Sequence, residues 1–181
     1  MASFCNAYKA IPQKMMSKGY YANEDGYGES IFGIKRLSHP NWKGWSIVDT
    51  NKFFASDDEE LSRMCLASEE LRNYRDEHYK ALLWDNLLLD NIKEQQVANN
   101  ILDCEFEFGD CVAASCLQEV VGSQVTGVLS MSDIQKANEM HPSTFIDRYL
   151  TRRGVRIIQR DGGTLAQAQL SVLRKQLRYK L

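Results

Sequence analysis

The sequence has no long apolar run, and this limits the classes of protein to which it can belong. No stretch approaches the roughly 18 apolar residues that a membrane-spanning helix needs, so we predict no membrane insertion. The first 18 residues also lack an uninterrupted apolar core, because Lys9, Pro12 and Lys14 break it. We therefore expect synthesis in the cytoplasm without a signal peptide.

An excess of charge of one sign is lacking as well. The 22 basic and 24 acidic residues leave a formal net charge of -2, and both signs are mixed along the chain. Such a balance produces no overall field that would attract nucleic acid, so we predict no nucleic-acid partner. Binding to a cell wall would have to come from a groove.

Paired cysteine motifs are absent too. The five cysteines are an odd number and none lies in a CxxC pair, which argues against a disulfide framework and against a ribbon-type zinc site. We interpret them as reduced, mostly buried thiols, and we expect neither a metal nor another cofactor. The cysteines are Cys5, Cys65, Cys104, Cys111 and Cys116.

What the sequence does contain is helical periodicity interrupted by one glycine-rich and aromatic segment. A length of 181 residues suits one domain, or one domain with a small appendage. Glycines alternate with aromatic residues between Gly19 and Gly33, which indicates a loop or short hairpin. Apolar spacing of three, four and seven predicts helices elsewhere. The predicted helices are 3–16, one long helix from about 57 to 85, a second from 94 to 121, and three shorter ones beyond Gly122, beginning near Ser130, at Pro142 and after Gly162–Gly163.

Two stretches carry a resemblance to a known family. The first runs from Tyr21 to Ile34 and continues in the His39–Trp45 segment, HPNWKGW; the second comprises Trp84–Ile92 and Val97–Asn99. Together they resemble glycoside hydrolase family 108, the phage N-acetylmuramidase or secretion-activator family, over about residues 1–120.

The resemblance implies an all-α, lysozyme-like fold with a glycine- and aromatic-rich loop lobe and a C-terminal helical appendage. It implies a muramidase domain over residues 1–121 and a helical region over 122–181, which weakly resembles a peptidoglycan-binding segment. The expected partner is peptidoglycan or a related glycan, with phage structural proteins as a further class. Action at the cell wall or in a virion would then need another export route.

The family's catalytic position carries no acid in this sequence. Members cleave the β-1,4 bond after N-acetylmuramic acid, and the glutamate that opens their "EGGY" motif protonates the leaving oxygen. That position corresponds to Ser17 if the alignment follows Gly19, and to Lys18 if it follows Tyr21. A hydroxyl or an ammonium cannot do the work of a carboxylic acid held neutral near pH 7.

Other residues of the same loop are candidates for the remaining roles. Glu29 and Asp25 are candidates for a displaced catalytic carboxyl, although Glu29 also suits a structural acceptor that ties the loop together. Candidate sugar-binding residues are Tyr20, Tyr21, Tyr27 and Trp42.

Two functions remain open from the sequence. The first is a degenerate muramidase, a pseudoenzyme without hydrolytic activity that is retained for glycan binding or for a structural role in a phage or prophage. The second is an active, endolysin-like N-acetylmuramidase that uses a displaced acid, Glu29 or Asp25.

Overall fold

The computed structural model describes residues 1–8, 18–23, 26, 28–164 and 167. Its contacts divide the chain into two compact units: unit 1 comprises Met1–Ile11 and Leu82–Leu181, and unit 2 comprises Pro12–Ala81. The predicted boundary between residues 121 and 122 falls inside unit 1. The assignment of a muramidase domain to residues 1–121 and of a separate helical region to residues 122–181 stays a prediction.

Helices dominate the described residues, as the sequence predicts, and the sheet there is a single two-stranded antiparallel hairpin. None of the described helices combines the length and the apolar character required to cross a membrane. The elements are α1 (Phe4–Tyr8), β1 (Ser30–Ile31), β2 (Ile34–Lys35), α2 (Trp45–Lys52), α3 (Asp58–Ala67), α4 (Glu69–Tyr79), a π-helical segment (Lys80–Asp85), a 3-10 turn (Leu89–Asn91), α5 (Gln95–Phe108), α6 (Asp110–Val121), α7 (Met131–Glu139) and α8 (Pro142–Asp161).

The prediction of one long helix from 57 to 85 is wrong, because a second helix begins at Ser68. The hydroxyl of Ser68 accepts a hydrogen bond from the backbone N–H of Leu71, while the residue itself is extended and ends α3. Serine favours such a position because its side chain satisfies a backbone donor at a helix start. The acidic start itself is confirmed, since Asp57 caps α3 by accepting from the N–H of Glu60.

The prediction of one helix from 94 to 121 is also wrong, because Gly109 divides it into the α5–α6 hairpin. Gly109 has a φ of 87°, a conformation that side chains disfavour. Apolar spacing continues through the break, so periodicity alone does not show it. The predicted end at Gly122 is confirmed, with that glycine in the left-handed conformation.

The helix starts predicted near Ser130 and at Pro142 are both confirmed. Ser130 and Asp133 form a reciprocal capping box at α7, and Pro142 occupies the first turn of α8. The helix predicted after Gly162–Gly163 lies mostly outside the described residues, as does the predicted first helix beyond Tyr8.

A buried guanidinium joins α8 to the α5–α6 hairpin within unit 1. The Arg153 side chain is fully buried and lies 2.5 Å from Asp103 Oδ2 and 2.5 Å from Glu107 Oε2, two carboxylates one turn apart on α5. Nearby, the Tyr149 hydroxyl donates to the carbonyl of Ala113 on α6, at 3.1 Å. A buried arginine that keeps both acids paired makes this helix packing specific.

Replacing Arg153 should therefore destabilise the protein strongly. Arg153→Ala leaves two carboxylates without their common partner, and we expect the free energy of unfolding to fall by about 3–5 kcal/mol. The matched control is Arg152→Ala, whose half-exposed guanidinium lies 3.6 Å from Glu119 and whose loss should cost under about 1 kcal/mol. Urea denaturation of the three proteins measures both values; equal losses would show that the buried ion pairs do not stabilise the packing.

Candidate active site

A two-residue turn sets the geometry of the loop that carries the family resemblance. Phe32 and Gly33 have φ values of 56° and 77°, the pair of positive angles that a type I′ hairpin requires. The turn pairs Ile31 with Ile34, and on the next rungs the N–H of Arg36 donates to the carbonyl of Glu29, at 2.9 Å. Glu29 and Arg36 are therefore cross-strand neighbours.

The segment Lys18–Tyr21, in which the family resemblance predicts the catalytic acid, pairs with this hairpin through its backbone. Tyr21 and Ser30 exchange two N–H to carbonyl bonds of 2.9 Å each, and the N–H of Phe32 donates to the carbonyl of Lys18, also at 2.9 Å. Lys18 is half-buried. Ser17, the position in the other alignment register, lies outside the described residues. In the alignment register that the structure describes, the motif position is therefore Lys18, whose backbone carbonyl is hydrogen-bonded to the hairpin.

Glycine at position 19 lets this segment approach α3 closely. A Cβ on Gly19 would come within 2.8 Å of Ser62 Oγ, and that same oxygen accepts the N–H of Tyr20 at 2.7 Å. The close approach fixes the segment against α3.

The carboxylate of Glu29 lies in a cluster of charged side chains. Its Oε1 is 2.5 Å from Arg36 Nε, while its Oε2 contacts the ammonium of Lys52 and accepts from the Tyr20 hydroxyl at 3.0 Å. Arg36 in turn donates to both oxygens of Asp49, at 3.2 and 2.5 Å. We call Tyr20, Glu29, Arg36, Asp49 and Lys52 the Glu29 cluster.

This arrangement suits an acceptor better than a proton donor. A general acid must direct a protonated oxygen toward the glycosidic bond, whereas Glu29 Oε1 pairs with the Arg36 cation and Oε2 accepts from Lys52 and Tyr20. Burial opposes the charge of Lys52, but its hydrogen bond and attraction to Glu29 prevail and raise the pKa of Lys52. Burial and the bond to Glu29 likewise raise the pKa of Tyr20. Both groups thus keep their protons directed at Glu29.

Trp42 is a packed residue of the described core. Its side chain is 9% exposed, its Nε1 donates to the carbonyl of Tyr74 at 3.1 Å, and its ring meets Trp45 edge to face at 5.2 Å. Gly44 is required beneath it, because a Cβ there would come within 2.3 Å of the Trp42 ring. These contacts favour a packing role over a sugar-stacking surface.

The predicted tyrosines occupy different positions. Tyr20 is buried, and the Lys52 ammonium lies 5.3 Å from the centre of its ring, whereas Tyr21 is 49% exposed. Tyr21 is therefore the described tyrosine best placed to contact a sugar. Tyr27 and the acid candidate Asp25 lie outside the described residues.

Three members of the Glu29 cluster were missed from the sequence: Arg36, Asp49 and Lys52. The two-residue turn could have identified Arg36, because it fixes the strand pairing in which Arg36 lies opposite Glu29. Asp49 and Lys52 share one face of α2 at a spacing of three, but nothing in the sequence shows which loop they meet.

Glu105 in unit 1 was also missed, and it is a buried carboxyl with an unusual environment. Its side chain is 8% exposed, and its Oε2 has no hydrogen-bond partner among the described residues. Burial, followed by repulsion from Asp110, raises the pKa of Glu105 to about 8. A carboxyl in this state keeps its proton at neutral pH, as a catalytic acid must. The acidic run Asp103, Glu105, Glu107 gives no hint that the middle residue differs from its neighbours.

A metal centre is not evident in the described part of the chain, where no three His, Cys, Asp or Glu side chains are grouped to hold an ion. The rings of His39 and His78 meet edge to face at 4.6 Å, and burial together with repulsion from His39 lowers the pKa of His78. Two imidazoles alone are fewer ligands than a zinc site uses.

Comparison with known proteins supports the fold. No protein-family model matches the sequence, and no curated protein sequence does. The structure is similar to that of SagA from Brucella abortus, with a TM-score of 0.55 and 19% sequence identity over 98% of this chain and 94% of that chain. At this identity the similarity shows the fold alone. The predicted all-α, lysozyme-like class is confirmed, and the match is consistent with the resemblance to glycoside hydrolase family 108.

The state of Glu105 predicts a specific pH dependence of stability. Its pKa is about 8 in the folded protein against an ordinary value of 4.5, so the folded state binds the proton more tightly. Proton binding by Glu105 therefore adds up to a few kcal/mol to the free energy of unfolding. This contribution is fully present below pH 4.5 and is lost as the pH rises through 8. Glu105→Gln, which keeps a neutral side chain at every pH, should remove this decline.

Denaturant unfolding at intervals from pH 5 to 9 measures the effect. Glu94→Gln, an exposed change just before the same helix, is the matched control and should follow the wild-type curve. If Glu105→Gln also runs parallel to the wild type, Glu105 does not hold its proton in the folded state.

Proposed function

We propose that the protein is a degenerate relative of the family 108 muramidases, which has lost hydrolysis of peptidoglycan and is retained for glycan binding or for a structural role in a phage or prophage. The sequence motifs over about residues 1–120 and the fold shared with SagA support the family relationship. The peptidoglycan partner follows from that relationship. We propose, on the same basis, that the protein acts at the cell wall or in a virion.

The observation that carries the proposal is that neither residue at the motif position is an acid. Breaking a glycosidic bond in this family needs a neutral carboxyl beside the bridging oxygen. The motif position is Lys18 or Ser17, and the ammonium of a lysine would also repel the positive charge that develops on the sugar. The neighbouring carboxyl of Glu29 is engaged by Arg36, Lys52 and Tyr20.

A second candidate is an active N-acetylmuramidase with a displaced acid, Glu29 or Asp25. One observation favours Glu29: its contact with the Tyr20 hydroxyl places a carboxyl beside the segment that carries the motif position. Catalysis by Glu29 would require Lys52 or Arg36 to release it when substrate binds.

Release of new reducing ends from purified peptidoglycan separates the two functions. We expect no release by the wild type above a heat-inactivated sample. Lys18→Glu or Ser17→Glu should raise release to at least about tenfold above that background, since a positioned general acid contributes about 10²–10⁴-fold.

The same assay tests the displaced acid. Release by the wild type at a rate near that of an active family member would overturn the inactive assignment. If that release is abolished in Glu29→Gln without loss of stability, and kept in Glu59→Gln, an exposed control in α3, Glu29 is the displaced acid.

Glycan binding can be measured independently of hydrolysis, by co-sedimentation with insoluble peptidoglycan. Tyr21 is a half-exposed aromatic residue on the motif loop, so Tyr21→Ala should reduce the sedimented fraction several-fold. Phe53→Ala is the matched control, because this 87% exposed aromatic residue of unit 2 lies outside the motif loop. Equal binding by all three proteins would exclude Tyr21 from the binding surface, and absence of wild-type binding would contradict glycan recognition.

A further inference from the structure

Two half-buried histidines join the HPNWKGW segment to α4 within unit 2. The rings of His39, in that segment, and His78, in the last turn of α4, meet edge to face with their centroids 4.6 Å apart. The Trp42 ring lies beside them, 6.3 Å from the His78 ring, and its Nε1 donates to the carbonyl of Tyr74 at 3.1 Å. Two ring contacts and a hydrogen bond to the backbone thus hold the segment against α4.

The two imidazole rings have no polar partner of their own in the part of the chain that the structure describes, where no group is hydrogen-bonded to either ring. The third histidine differs, because His141 is exposed and its Nδ1 lies 2.9 Å from the Ser143 hydroxyl. A proton bound by His39 or His78 therefore places a positive charge against a second imidazole, with no carboxylate in contact to offset it.

The charged groups of α4 have other partners or lie in solvent. Arg75 donates to Asp76 at 2.7 Å, and Glu77 is exposed. Lys80, two residues after His78, is a further cation. The tyrosines on the same stretch direct their hydroxyls to acceptors elsewhere: Tyr74 donates to Glu70, and Tyr79 donates to the carbonyl of Phe32.

The charged side chains on the other side of the contact are basic. From residue 35 to residue 45 they are Lys35, Arg36 and Lys43. The guanidinium of Arg36 lies 4.5 Å from the centre of the Trp45 ring and is bound to the carboxylates of the Glu29 cluster, while Lys43 is exposed. Protonating the histidine pair thus adds positive charge to a segment that already carries it.

We propose that the His39–His78 contact is an acid-sensitive latch, which holds the HPNWKGW segment against α4 while both rings are neutral and releases it when they bind protons below about pH 6. This inference goes beyond the proposed function and does not depend on it. His39 is the point from which the change spreads, because its carbonyl accepts the indole N–H of Trp45 at 2.8 Å and the backbone N–H of Trp42 at 3.2 Å.

The sign of the pH dependence follows from the state of His78. Burial, followed by repulsion from His39, lowers the pKa of His78 below its ordinary value of 6.5. The folded state therefore favours the neutral ring. Its stabilising contribution is present above pH 6.5 and is lost as the pH falls through the lowered pKa, opposite in direction to the effect of Glu105.

Nuclear magnetic resonance of the ¹⁵N-labelled full-length chain tests the latch at the indole N–H of Trp42. Between pH 7.5 and pH 5, its exchange with water, corrected for the intrinsic pH dependence of exchange, should accelerate by at least about tenfold, because release breaks its bond to Tyr74. The indole N–H of Trp84, which donates to Asp90 in unit 1, is the internal reference and should not accelerate.

Two substitutions supply matched controls. His78→Phe keeps an aromatic ring that cannot bind a proton, so it should lose most of the acceleration at Trp42. His141→Phe changes the exposed histidine before α8 and should retain the acceleration in full.

Three results would overturn the proposal. They are unchanged corrected exchange of Trp42 in the wild type, an equal acceleration at Trp84, which would indicate unfolding beyond the segment, and full acceleration in His78→Phe. The first two do not depend on the variants folding.

Discussion

The contact between the Glu29 carboxylate and the cations of Arg36 and Lys52 holds the motif loop of unit 2 together. The two-residue turn at Phe32–Gly33 makes it possible, because a shift of one residue would turn Glu29 to the opposite face of the hairpin. Lys52 and Asp49 then extend the same cluster to α2. A loop with little regular structure is thereby attached to a helix through charged side chains.

The residues of this loop have structural roles of their own. Glu29 accepts hydrogen bonds from Tyr20 and Lys52 and forms an ion pair with Arg36. Gly44 leaves room for the Trp42 ring, and Gly19 allows contact with Ser62. These motif residues support the loop whether or not a sugar chain is cleaved. The presence of these residues is therefore evidence about the fold rather than about hydrolysis.

Unit 1 relies on a different set of polar groups within its helices. Arg153 pairs with two acids of α5, whereas Glu105 remains a buried acid without such a partner. All of these belong to the α5–α6 hairpin or to α8 packed against it. Neighbouring acids on one helix thus have different partners, because their side chains point toward different surfaces of the packed helices.

Local sequence was sufficient for features that depend on nearby residues. The helical class follows from apolar spacing, the start of α7 from Ser130 and Asp133, and the start of α8 from Pro142, since each involves interactions within one or two turns. The absence of an acid at positions 17 and 18 can also be read directly.

Only the tertiary structure decided where the helices break and which groups meet. The breaks at Ser68 and Gly109 lie within continuous apolar patterns, and the partners of Glu29 come from elements up to 23 residues away. The burial that sets the proton affinity of Glu105 likewise comes from packing. Such contacts depend on how helices and loops are positioned in three dimensions, which side-chain periodicity along one chain does not specify.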